Sequence, residues 1–121
     1  MPCPLFVPDT EAPPIGEPFH GCCDADPAWN IPFDLLSNGC NRGYARSFCV
    51  RASSVPEDAY QFLIKSHVDG TFRVAWSGES DHAPVAVGTL EIRPNDPSAT
   101  PLERQARASV TAYLRRTGGV W

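Results

Sequence analysis

Five cysteines, at positions 3, 22, 23, 40 and 49, all fall in the first 49 of 121 residues. A segment this rich in thiols is either cross-linked or held on a metal, and each option fixes where the backbone must pass. A reading of the chain as cytoplasmic disfavours disulfides, so the density points to metal. Side chains of adjacent residues cannot easily reach one centre together. The expected ligand set is therefore Cys3, one of Cys22 and Cys23, Cys40 and Cys49, and with Cys23 the spacing is C-x19-C-x16-C-x8-C.

That spacing lacks the C-x2-C knuckle usual in structural zinc sites, although it does not exclude zinc. Thiolates from four separated loops suit a [4Fe–4S] cluster, whose size lets ligands arrive from distant segments. Phe6, Phe19, Trp29, Phe33, Tyr44 and Phe48 are expected to keep water away, and Arg42 and Arg46 to offset the negative charge. His20 is an alternative to one thiolate. Four protein ligands leave no open coordination position for substrate, so the site transfers electrons or holds structure.

The cysteine-rich segment, residues 1–56, also carries nine of the 13 prolines, with three basic and six acidic residues. Within it Asp34 to Gly39 is the best helix candidate, with Asp34 as N-cap. Residues 57–121 follow other rules. Tyr60, Phe62 and Ile64, then Phe72, Val74 and Trp76, alternate with polar positions as half-buried strands do. A three-residue loop with Gly70 left-handed would pair Phe62 with Trp76 and Ile64 with Val74, and a two-residue Asp-Gly turn would not. A third strand, Val85 to Ile92, changes apolar phase around Gly88, which suggests a bulge there. Thr100-Pro101-Leu102-Glu103 is a capping box with proline at the first helical position. Leu102, Ala106, Val110, Tyr113 and Leu114 then form one apolar stripe that ends at Gly118. The expected fold is α+β: one domain, 1–121, in which a proline-rich, loop-dominated metal-binding segment packs on a three-stranded antiparallel sheet covered by a C-terminal helix.

Cys3-Pro4-Leu5-Phe6, Gly21-Cys22-Cys23 and Cys40-Asn41-Arg42-Gly43-Tyr44-Ala45-Arg46-Ser47-Phe48-Cys49 resemble the C-P-x-F, G-x-C and C-N-x-G-Y-A-R-x-x-C motifs of small four-cysteine bacterial proteins without an assigned function. The resemblance extends through Asp81-His82-Ala83-Pro84-Val85 to the helix at Tyr113-Leu114-Arg115-Arg116. It places Cys23, rather than Cys22, at the shared cysteine.

Ten basic and fourteen acidic residues give a net charge of −4 without any basic run, so nucleic acid is not an expected partner. No stretch reaches the roughly 20 apolar residues of a membrane span, and the opening Met-Pro-Cys-Pro-Leu-Phe does not read as a signal peptide. The expectation is a soluble, cytoplasmic iron–sulfur protein, an electron carrier or a cluster-bearing subunit with a protein partner in a redox complex. The alternatives are a zinc-stabilised interaction module and an enzyme built on Asp81-His82 with Ser80 or Ser77 as nucleophile. The usual enzyme motifs are absent, so catalysis is the weaker expectation.

Overall fold

The hairpin register is where the alternating residues find their partners. In a computed structural model describing residues 1–10, 12–95 and 98–121, β3 (Ala59–Val68), β4 (Thr71–Ser80) and β5 (Ala83–Ile92) form an antiparallel sheet in that order. Phe62 faces Trp76 and Ile64 faces Val74, as the alternation requires. The turn differs from expectation. It is a two-residue Asp69-Gly70 turn with both residues at positive φ, 52° and 73°, the pattern that matches strand twist. The pairing is recovered because Lys65 is an extra residue between the Ile64–Val74 and Ser66–Arg73 pairs, a bulge that shifts the phase by one.

Between β4 and β5 the irregularity lies at Gly78/Glu79, with Val85 as the extra residue, and not at Gly88. Gly88 stands opposite Trp76, and a Cβ there would lie 2.6 Å from the indole Nε1. Its lack of a side chain makes room for the ring.

Helix α2 (Pro101–Thr117) covers one face of the sheet. The Thr100 hydroxyl accepts the Glu103 N–H at 3.2 Å, Glu103 returns the contact to the Thr100 N–H, and Gly118 closes the helix at φ 69°. Ala106, Val110 and Leu114 bury against Phe72, Val74 and Ile92, while Tyr113 is half-buried beside them. Gln105, a polar residue between the expected stripe positions, is also buried. The other face of the sheet leaves Leu63, Val85 and Val87 exposed.

A second, smaller core gathers the cysteine segment: Cys3, Leu5, Phe6, Cys23 and Leu36. Here β1 (Phe6–Pro8) pairs with β2 (Gly21–Cys23), so Phe6 faces Cys23. The anticipated helix begins earlier and ends differently. Helix α1 (Phe33–Leu35) is preceded by Pro32, not capped by Asp34, and continues as a wide turn, Leu36–Cys40, whose Asn41 N–H reaches back five residues to the Leu36 carbonyl.

Proline explains how the two parts join. It donates no backbone hydrogen bond, so carbonyls of the amino-terminal arm need donors from elsewhere. Helix α2 supplies them: Arg104 to Pro8, Gln105 to Cys3 and Phe6, and Arg115 to Ala12 and Pro13. Among the described residues no helix is long and apolar enough to cross a membrane.

Candidate metal centre

The wide turn after α1 presents Cys40, and strand alternation aims Cys23 inward. Neighbouring residues on β2 point to opposite faces, so Cys23 is buried while Cys22 is half exposed. Cys3 enters from the arm, where its N–H donates to the Cys40 carbonyl at 2.9 Å. Cys49 ends a turn in which its N–H reaches the Ala45 carbonyl at 2.8 Å, just before the short 3-10 helix Val50–Ser54.

These four segments meet. Cys3, Cys23, Cys40 and Cys49 line one cavity of about 20 Å³, together with Leu5, Phe6, Trp29 and Leu35; Ala45, Arg51 and Ala52 complete its wall. Cys22 and His20 are not among its lining, and His20 is exposed. All five cysteines carry free thiols.

Burial pushes the Cys3 thiol above its ordinary pKa, against the pull of the Leu5 and Phe6 N–H groups that point at it and with smaller contributions from Cys23 and Cys49. Cys40 is pushed up to about 12, by burial first and then by the neighbouring Cys3, Cys23 and Cys49. Four thiols cannot all ionise in so small a space without a compensating positive charge. Among the described residues, however, no group of three or more His, Cys, Asp or Glu side chains is placed to hold a metal ion.

The expected surroundings are only partly those observed. Phe6 and Trp29 wall the cavity and Phe19 packs on the same core, but Phe33 and Phe48 are exposed. Tyr44 turns away, donating from its hydroxyl to Glu79 at 2.7 Å and accepting the His82 N–H. Arg46 pairs with Asp58 at 2.6 Å, and Arg42 is exposed and not part of the wall. The cation in the wall is Arg51, whose guanidinium lies 3.8 Å over the Trp29 ring and 3.2 Å from Asp26.

Two positioning residues escaped the sequence reading. Asn41 holds both backbone groups of Phe19, accepting its N–H at 2.8 Å and donating to its carbonyl at 2.9 Å, which brings the approach to Cys23 alongside Cys40. Its place directly after a ligand candidate was the visible signal. For Gln105 the signal was a polar residue beside the apolar stripe.

Asp81 and His82 form a two-residue turn with both residues at positive φ. The His82 ring stacks on Tyr44 at 4.6 Å, and among the described residues no hydrogen bond links that ring to Asp81, Ser80 or Ser77. The pair builds a hairpin end.

No protein-family model, no curated protein and no solved structure matches this chain.

Proposed function

We propose that Cys3, Cys23, Cys40 and Cys49 bind a [4Fe–4S] cluster and that the protein carries single electrons, alone or as the cluster-bearing subunit of a larger redox complex. The observation that carries this reading is the convergence of four thiols, from four separate segments, on one enclosed and largely apolar cavity. Zinc with four thiolates at about 2.3 Å would draw the sulfurs to roughly 3.8 Å from one another and leave no space between them. Donors arriving from four separate segments are the arrangement that a cluster several ångströms across accepts, which is why we propose a cluster ahead of zinc.

The donor chemistry is consistent with this proposal. Iron would displace the thiol protons that burial otherwise retains, and the Leu5 and Phe6 N–H groups at the Cys3 sulfur are of the kind that tune a cluster's potential. With four protein ligands the site needs only to accept and release one electron, with no bond formed or broken. A cytoplasmic location, where a reducing thiol pool would keep the five cysteines available as ligands, is part of the same proposal.

The test is anaerobic purification followed by iron, acid-labile sulfide and zinc analysis with visible spectroscopy. About four irons and four sulfides per chain, with absorption that bleaches on reduction, is the expected result. One zinc per chain, or a folded chain with no metal after reconstitution, refutes it. Cys23→Ser should lose the centre and Cys22→Ser should keep it; the reverse would give Cys22 the ligand role.

A further inference from the structure

We propose that the free edge of β3, with the groove beside it, binds an extended peptide segment of another protein, one with apolar residues at alternate positions and an acidic residue at the Ile64 end. The site stands whatever the cysteines bind.

Main-chain groups are the first reason. The Tyr60 N–H donates to the Pro2 carbonyl at 3.0 Å, so Tyr60 turns its main-chain polar groups away from β4. Alternate residues of a strand turn theirs the same way, which directs the N–H and C=O of Phe62 and Ile64 outward as well. No described residue pairs with those outward groups, and β3 is an edge of its sheet. Such an edge accepts a further strand, and the Pro2 carbonyl already makes the first contact of that ladder. The groove is the second reason, because it gives the added strand a place for its side chains. A cavity of about 460 Å³, mostly apolar in its exposed lining, runs along Phe62 and Ile64, between Ala108 and Ala112 of α2 and Phe19 of the arm. That volume falls within the roughly 300–1,000 Å³ of ligand pockets. Ala108 and Ala112 lie one turn apart and are small, so the helix leaves room where it meets the edge. Every second side chain of an added strand points to the face that Phe62 and Ile64 share with α2.

Charge is the third reason. Arg116 is the only charged side chain among the described lining residues, and it forms no ion pair with a described residue. A smaller hollow that shares Ala112 and Arg116 adds Glu17 and Arg115, and Arg115 is held on the Ala12 and Pro13 carbonyls. Gln105 binds the arm at Cys3, next to the Pro2 that meets Tyr60, whereas Tyr113 packs on Phe72, which pairs with His67. Helix α2 therefore runs in the direction of β3, and Arg116 stands toward the Ile64 end of the groove. An acidic residue of the bound peptide is its complement there.

The test pans the purified full chain against a displayed library of random peptides. Amide hydrogen exchange is then measured on the isotope-labelled protein with a synthetic copy of the strongest binder. In the complex the Phe62 and Ile64 amides should exchange about ten-fold more slowly or better, while those of Val87 and Thr89, on the opposite sheet edge, stay within about two-fold. Ala112→Trp, which fills the groove, and Arg116→Glu, at an exposed position, should each weaken binding by about five-fold or more, and Arg73→Glu on the outer sheet face should match wild type. Circular dichroism checks the fold of each variant first; where Ala112→Trp does not fold, Arg116→Glu and the exchange pattern decide. A library from which no peptide is enriched, a bound peptide that leaves Phe62 and Ile64 unprotected, or an equal loss of binding in Arg73→Glu overturns the proposal. So does a chain that dimerises in sedimentation and protects Phe62 and Ile64 without peptide, since the edge would then belong to a second copy.

Discussion

Gln105 is the side chain whose removal says most about how the two cores are joined. It is 2% exposed, and its Nε2 donates to the carbonyls of Cys3 at 2.8 Å and Phe6 at 2.7 Å. Gln105→Leu keeps the volume but removes both bonds, and each buried carbonyl deprived of its donor costs about 1–3 kcal/mol. Two features reduce the loss. The Cys3 carbonyl keeps the Phe6 N–H at 3.0 Å, and the substitution removes Gln105 Oε1, which is buried without a partner among the described residues. The net expectation is a destabilisation of about 2 kcal/mol. A chain of this length has an unfolding entropy of about 0.25 kcal/mol/K, so the midpoint should drop by about 8 °C in a thermal melt followed by circular dichroism. Gln105→Glu should fall further at neutral pH, because a carboxylate would face two carbonyl oxygens. A shift below about 2 °C for both variants would refute the claim that this side chain ties the arm to the helix.

Gly88→Ala should destabilise by about 1–3 kcal/mol in a denaturant titration, because the new methyl meets the Trp76 ring at 2.6 Å, and the ring must move. Thr100→Ala removes the helix cap and should cost about 1 kcal/mol, read as a drop of about 4 °C in the melting midpoint. The Asp81 N–H, and after it the Arg46 guanidinium, hold the Asp58 carboxyl below the usual carboxylate range. Its contribution is therefore complete above about pH 4 and disappears as pH falls through the lower folded value, so a pH series of melts should be flatter at its acid end in Asp58→Asn. That effect should be smaller than the Gln105 one, because the Arg46 partner is 38% exposed.

The second half was the more legible because its signals are local. Thr100, Pro101 and Glu103 form a cap whatever lies around them, and strand alternation paired Phe62 with Trp76 and Ile64 with Val74. The Lys65 and Val85 bulges were hidden, since each depends on how two strands settle against one another. In the cysteine half, alternation on a three-residue strand separates Cys22 from Cys23, but the surroundings of the thiols were less predictable. Phe33 and Phe48 are as apolar as Phe6, and Arg46 is as basic as Arg51. Only long-range contacts decide that Phe6 and Arg51 reach the cavity while Arg46 turns to Asp58.

Those contacts also explain why the loop between Cys40 and Cys49 tolerates strain. Tyr44, Asp81 and His82 all have φ between 52° and 63°, a conformation that costs a residue with a side chain on the order of 1 kcal/mol or more. All three stand at one junction. The Tyr44 N–H donates to the Asp58 carbonyl, its hydroxyl bridges Glu79 and the His82 N–H, and its ring stacks on His82; the Asp58 carboxylate meanwhile accepts the Asp81 N–H at 2.9 Å. Relaxing any one of the three would break bonds made by the others, so the junction holds as a unit. It fixes the middle of the Cys40–Cys49 loop to the β4–β5 turn, while Gln105 and Arg104 fix the arm carrying Cys3 to α2. The thiol cavity, too small a core to order its own walls, is thereby positioned by the sheet and helix beneath it.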